Sequence, residues 1–255
     1  TNSEILHSHT YCDRVQDPYS VRCMPAVHGA SRDAFEHVYR MLEIELNSVT
    51  DNPIILPDGD SVSGGNFHGQ PLAIPLDYGK IAAAEIGNIS ERRSYLLLEG
   101  KYGLPPMLIE EAGVNSGFMI PQYTAAALVS ENRAMCFPTS ADSVPTGMGQ
   151  EDHVSMGSIS ARKACEVAEN VSRILAIELL YAAQAIDFRR PRKSSPVLEM
   201  IHGWVREHVD FARKDRIFST DIKLLHRAIA NGDFNRIARQ AANELAIDLK
   251  FTTYE

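Results

Sequence analysis

Between Gln16 and Arg22 the stretch QDPYSVR sets an amide, a carboxylate, a phenol and a guanidinium within seven residues, around Pro18. Tyr19 and Arg22, three apart, are the pair that could do chemistry. An arginine fork grips a carboxylate through two parallel hydrogen bonds, and a phenol can give or take a proton. A free tyrosine ionises near pH ~10, so ionising it at pH 7 costs about 4 kcal/mol unless a cation helps. Arg22 is such a cation. The plain alternative is a turn ahead of a helix beginning at Ser31, with Tyr19 half buried and Arg22 paired to Asp17.

Two further polar clusters interrupt an otherwise helical pattern. In SGGNFHGQP, Ser63 to Pro71, the glycines Gly64, Gly65 and Gly69 could simply supply positive φ. The functional reading brings backbone close to a ligand, with Asn66 hydrogen-bonding and Phe67 offering an aromatic face. The loop lacks both G-x-G-x-x-G and a following G-K-[ST], so it is not a phosphate loop. In GQEDHVSMG, Gly149 to Gly157, Glu151 and Asp152 could complement the dipole of a helix that follows. Alternatively, Glu151 is a buried partner for a cationic or hydrogen-bonding ligand. The nine histidines, among them His7, His9 and His153, show no H-E-x-x-H or similar spacing, so no metal site is expected. Neither a G-x-S-x-G elbow nor a recognisable catalytic cysteine setting occurs.

Such side chains need a rigid frame, and the surrounding sequence reads as helix. From Val154 to Ile186, Ala164, Val167, Ala168, Val171, Ile174 and Leu175 recur at i, i+3, i+4 and i+7. At ~1.5 Å per residue this helix would run roughly 50 Å, too long to pack on one small domain face. It ends at Arg189-Arg190-Pro191, where cations suit the dipole and proline bars continuation. Its wide apolar surface implies burial among several helices or subunits. Further helices are expected over Ser31 to Leu46, Tyr78 to Leu98, Tyr123 to Met135, Val197 to Val209 and Asp221 to Ala230. PIILPDGDSV, with Pro57-Asp58-Gly59 at its centre, reads as a small hairpin. Residues 245–255 carry no firm pattern and read as a fraying tail. With no repeat, linker or low-complexity stretch, residues 1–255 are expected to form a single all-α domain, a long-helix bundle with a small β-hairpin.

Composition narrows the partners. A net charge of −8 with no dense Lys/Arg patch argues against nucleic acid. Cys12, Cys23, Cys136 and Cys165 are scattered and fit a reducing cytoplasm. No apolar run approaches the ~18 residues of a membrane span, and no signal-peptide pattern opens the chain.

Taken in order, CDRVQDPYSVRC, SGGNFHGQPLA, VNSGFMIPQ (Val114 to Gln122) and GQEDHVSMG resemble the C-terminal half of the histidine ammonia-lyases. That group belongs to the aromatic amino acid ammonia-lyases and aminomutases, and the likeness runs from about His7 to about Phe218. In that family L-histidine loses ammonia to give trans-urocanate. The proton removed is barely acidic, and the family meets this with an electrophilic methylidene-imidazolone ring made from an internal Ala-Ser-Gly. The resemblance implies that Tyr19 takes part in proton transfer and that Arg22 grips the substrate carboxylate. Gln16 would support the ring or substrate. Phe67 would face the substrate, with Asn66 and His68 in the same loop, and Glu151 would approach the imidazole or amino group with Gln150 beside it. Whether Tyr19 or Glu151 takes the proton stays open. Phenylalanine and tyrosine lyases tend to carry an uncharged version of the Glu151 motif. A carboxylate there suits imidazole and would be costly against an unpaired phenyl ring, so histidine is preferred over an aromatic lyase or aminomutase reading.

One departure stands out: Ala-Ser-Gly does not occur in the 255 residues, and the chain opens at Thr1-Asn2-Ser3. The chain is therefore expected to be a C-terminal portion that lacks the electrophile segment and is inactive by itself. The resemblance further implies a homotetramer whose active sites draw on more than one chain. A noncatalytic helical assembly protein keeping the same scaffold is the competing class.

Overall fold

The computed structural model describes residues 3–247. A short helix α1 (Glu4–His7) is capped by Ser3, whose Oγ accepts the Leu6 N–H at 3.1 Å. One turn of helix, α2 (Tyr19–Arg22), precedes α3 (Met24–Leu46). The hairpin then pairs β1 (Ile54–Ile55) with β2 (Ser61–Val62) antiparallel, Ile54 opposite Val62. After it come α4 (Gln70–Leu98), α5 (Met119–Met135) and α6 (Gly157–Asp187). The chain closes with α7 (Pro196–His208), α8 (Ser219–Ala230) and α9 (Asp233–Glu244). This is the expected all-α bundle with one small hairpin.

Two long helices, α4 and α6, pack along each other, with α3 beside α4, α5 against both, α8 along α6, and α9 packed on α7 and α8. The core lies where α6 meets α5 and α8. Tyr181, Phe118, Ile177, Leu180 and Leu225 are buried there, with the Phe118 ring edge-on to Tyr181 at 5.2 Å. The Tyr181 hydroxyl donates to the Phe118 carbonyl. Gln184, also buried, donates from Nε2 to the carbonyls of Leu108 and Ala212 and accepts the Ala212 N–H, so two loops are stitched to α6. No helix among the described residues is long and apolar enough to cross a membrane.

Several boundaries differ from those expected. Helix α3 starts at Met24 instead of Ser31, because Pro25 occupies the first turn, where no N–H is required. Helix α4 starts at Gln70 rather than Tyr78 and runs through Pro75. That proline lies one turn in, so the single bond it forfeits is to the Pro71 carbonyl. Helix α5 likewise begins four residues early, at Met119. Helix α9 was not expected at all. Its inward face, Phe234, Ile237, Ala238 and Ala241, is built largely from alanine and gives a faint apolar period. Of the expected tail, residues 245–247 follow α9 and residues 248–255 lie outside the described residues.

Candidate active site

Pro18 opens α2 rather than breaking it. Its carbonyl accepts the N–H groups of Val21 and Arg22 at 3.0 and 2.9 Å. The resulting turn puts Tyr19 and Arg22, at i and i+3, on one face, with the Arg22 guanidinium 4.9 Å from the Tyr19 ring centre. Both side chains are exposed, Tyr19 at 72%. The plain alternative of a half-buried Tyr19 and an Arg22–Asp17 pair therefore fails. Asp17 is instead held by Arg14 at 2.8 Å, and Arg14 itself lies over the Tyr102 ring. Among the described residues Arg22 has no carboxylate partner, and Gln16 is exposed beside it.

The glycine-rich loop is fixed at both ends. Asn52 Oδ1 accepts the Ser63 hydroxyl and the Gly64 N–H at 3.2 and 3.1 Å, and the Asn66 amide donates to the Val49 carbonyl. Phe67 projects with 56% exposure. Gly64, Gly65 and Gly69 do not adopt positive φ, so the plain reading of the loop fails. Gly69 serves close approach instead, since a Cβ there would stand 2.7 Å from Ser155 Oγ. His68 reaches the same neighbouring loop, its Nε2 lying 3.2 Å from the His153 carbonyl oxygen.

That neighbouring loop turns tightly. The Thr146 N–H donates to the Glu151 carbonyl at 2.9 Å, and Gly147, Met148 and Gly149 follow one another in the left-handed region, at φ +54°, +57° and +91°. The Glu151 carboxylate folds back over Gly147, so that a Cβ on Gly147 would lie 1.5 Å from Oε2. Glu151 and Gln150 are exposed in this chain rather than buried. Nor do Glu151 and Asp152 serve a helix dipole, because α6 begins only at Gly157 and has no acid in its first turn.

Beneath both loops sits a buried ion pair, Asp77 and Lys80 on α4, at 2.5 Å. Asp77 also accepts the Ser140 N–H at 2.7 Å, while Lys80 donates to the Phe137 carbonyl at 3.2 Å. Burial pushes the Asp77 carboxyl up, but Lys80 and the Ser140 N–H outweigh it and hold the pKa at about 2. The Gln70 amide reaches the Ser140 carbonyl at 2.9 Å, and the Val154 N–H reaches Ser143 Oγ at 2.9 Å. The segment 137–143 is thus pinned to α4 and in turn holds both loops. Asp77 and Lys80 escaped the sequence reading; an Asp-x-x-Lys pair within the otherwise largely apolar stretch from Leu72 to Ala84 was the available signal.

The fold therefore brings Asn66, Phe67 and His68 beside the Gln150–Glu151 loop. Among the described residues no hydrogen bond, ion pair or ring contact joins Tyr19 or Arg22 to Phe67 or Glu151, and α2 packs instead on α3 and α4.

The model of the family described as "Aromatic amino acid lyase" matches residues 1–207. Histidine ammonia-lyase of Natranaerobius thermophilus is 50% identical over 234 residues, covering 91% of this chain and 46% of that protein. The crystal structure of histidine ammonia-lyase from Trypanosoma cruzi superposes with a TM-score of 0.85 at 45% identity, over 94% of this chain and 50% of that one. Tyrosine aminomutase from Streptomyces globisporus gives a TM-score of 0.86 at 37% identity, over 98% and 48%. The chain spans about half the length of the curated relatives it matches. With four-fifths of its length matched by the family model and about half its positions shared with these relatives, the chain belongs to the aromatic amino acid lyase family.

Proposed function

We propose that this chain provides the substrate-binding and proton-transfer part of a histidine ammonia-lyase, which converts L-histidine to trans-urocanate and ammonia. The observation that carries the reading is the exposed Tyr19–Arg22 turn, a guanidinium with no carboxylate partner among the described residues lying against a phenol. Arg22 binds the substrate carboxylate through its fork. Tyr19, next to that cation, exchanges the proton at the reacting carbon. Phe67 packs against the imidazole ring, and Glu151 accepts a hydrogen bond from it, which favours histidine over a phenyl-bearing substrate.

The residues present also fit a methylidene-imidazolone ring. Gln16 offers an exposed amide and Phe67 an exposed aromatic face. When bound, that ring supplies the electron withdrawal that the weakly acidic substrate C–H needs. It has to come from an Ala-Ser-Gly outside these residues. The assembly we propose is a homotetramer, in which Tyr19 and Arg22 share a site with Phe67 of one chain and Glu151 of another.

The test is urocanate formation from histidine by the assembled enzyme, this chain together with the Ala-Ser-Gly segment. Tyr19→Phe and Glu151→Gln should each reduce kcat by roughly 10² or more while the assembly keeps its mass. The isolated 255 residues should form no urocanate. Full turnover by both variants would overturn the site. Urocanate from the isolated chain would overturn the need for the missing ring.

A further inference from the structure

Both ring nitrogens of His68 are already committed. Nδ1 accepts the Gln70 N–H at 3.3 Å, which assigns the ring proton to Nε2, and Nε2 donates to the His153 carbonyl at 3.2 Å. The ring also stacks on that of His153, with centres 5.4 Å apart and planes 5° apart. These contacts join residues 85 positions apart. Each of the two loops carries one proposed site residue next to the contact: Phe67 directly precedes His68, and Glu151 lies two before His153.

We infer that His68 is a positioning residue that clamps the Phe67 loop to the Glu151 loop, rather than a group that binds substrate. This rests on the reading of Phe67 and Glu151 given above. Phe67 and Glu151 are both exposed and sit on loops, so their separation is set by whatever ties the loops together. His68 is the side chain that spans them. The Gln70–Ser140 and Val154–Ser143 bonds anchor each loop separately to the 137–143 segment, so losing His68 loosens the pair without unfolding it. A misplacement on the order of 1 Å in a catalytic group can cost about 10²-fold in rate.

The test compares His68→Ala, His68→Gln, Glu151→Gln and the His68→Ala/Glu151→Gln double variant in the assembled enzyme, reading kcat, KM and amide hydrogen exchange. His68→Ala should lower kcat/KM for histidine by about tenfold or more and quicken exchange in both loops, 63–70 and 149–155. His68→Gln keeps an N–H donor for the His153 carbonyl and should recover most of the loss. In the Glu151→Gln background, His68→Ala should cost far less, because it acts through Glu151. Multiplying losses in the double variant, with unchanged exchange in the 149–155 loop, would make His68 a direct substrate contact and overturn the clamp alone. Unimpaired turnover by Glu151→Gln would instead remove the active-site reading, and the clamp with it.

Discussion

At the residue scale, the carboxylate of Glu151 depends on what Gly147 lacks. A Cβ there would stand 1.5 Å from Oε2, so any side chain must evict the carboxylate. Gly149 offers a control: at φ +91° it lies further from the left-handed well than Gly147 at +54°, so a side chain there is at least as strained, but no atom lies within 4 Å of its Cβ position. Met148, at φ +57°, demonstrates that this turn carries a side chain in the left-handed region. Gly147→Ala should therefore lose about 1–2 kcal/mol of stability and Gly149→Ala at least as much. Only Gly147→Ala should also depress kcat/KM for histidine, by about tenfold or more if Glu151 acts as proposed. Equal kinetics for the two variants would mean that the Glu151 seat has no part in turnover. The residue types at the candidate site were legible in the sequence, since phenol, guanidinium and carboxylate declare their chemistry. The Gly147–Glu151 fit and the spent nitrogens of His68 were not, because both depend on backbone turns and on a contact across 85 positions.

At the scale of elements, the loops are only as well placed as the 137–143 segment beneath them, and that segment hangs on Asp77 and Lys80. Breaking a buried ion pair by removing one partner typically costs about 3–5 kcal/mol. Asp77→Asn should fall in this range by urea unfolding at pH 7, with looser exchange at Ser140. The acid limb gives a sharper check. The folded-state pKa of Asp77, about 2, lies below the ordinary 3.8. Its contribution is thus complete above pH ~4 and is lost as the pH falls through about 2, a span worth about 2 kcal/mol. Asp77→Asn should flatten the stability profile in that window; an unchanged acid limb would show the pair to be energetically idle. Long helices such as α6 were legible because a 3.6-residue period over many turns has no rival explanation. Their starts were not, because Pro25, Pro71 and Pro75 look like breakers until it is known that each stands within the first turns. Helix α9 escaped because alanine contributes little contrast between its two faces.

At the scale of the whole molecule, the chain exposes more surface than a compact monomer of its length. Its accessible area is 15444 Å², whereas a monomer of this length typically exposes about 11,000 Å². The excess is roughly 4,000 Å². Part of it lies along α4, where Ile74, Tyr78 and Ile81 form an i, i+4, i+7 stripe, each about half exposed. Tyr78 and Ile81 also border an open groove whose far wall is Ala26, Val27 and Ala30 of α3. Small residues on one wall and large apolar ones on the other suit the insertion of a further helix, and within the proposed tetramer another copy of the chain would supply it. Ile81→Glu places a charge in that groove and leaves the proposed site residues untouched. In the assembled enzyme it should lower the mass measured by sedimentation from tetramer to smaller species. Turnover should fall in step with the mass, because Tyr19 and Glu151 are proposed to meet only across chains. A tetramer of unchanged mass would take α4 out of the interface. Full activity in the dissociated form would show that a single chain, with its Ala-Ser-Gly segment, completes the site by itself.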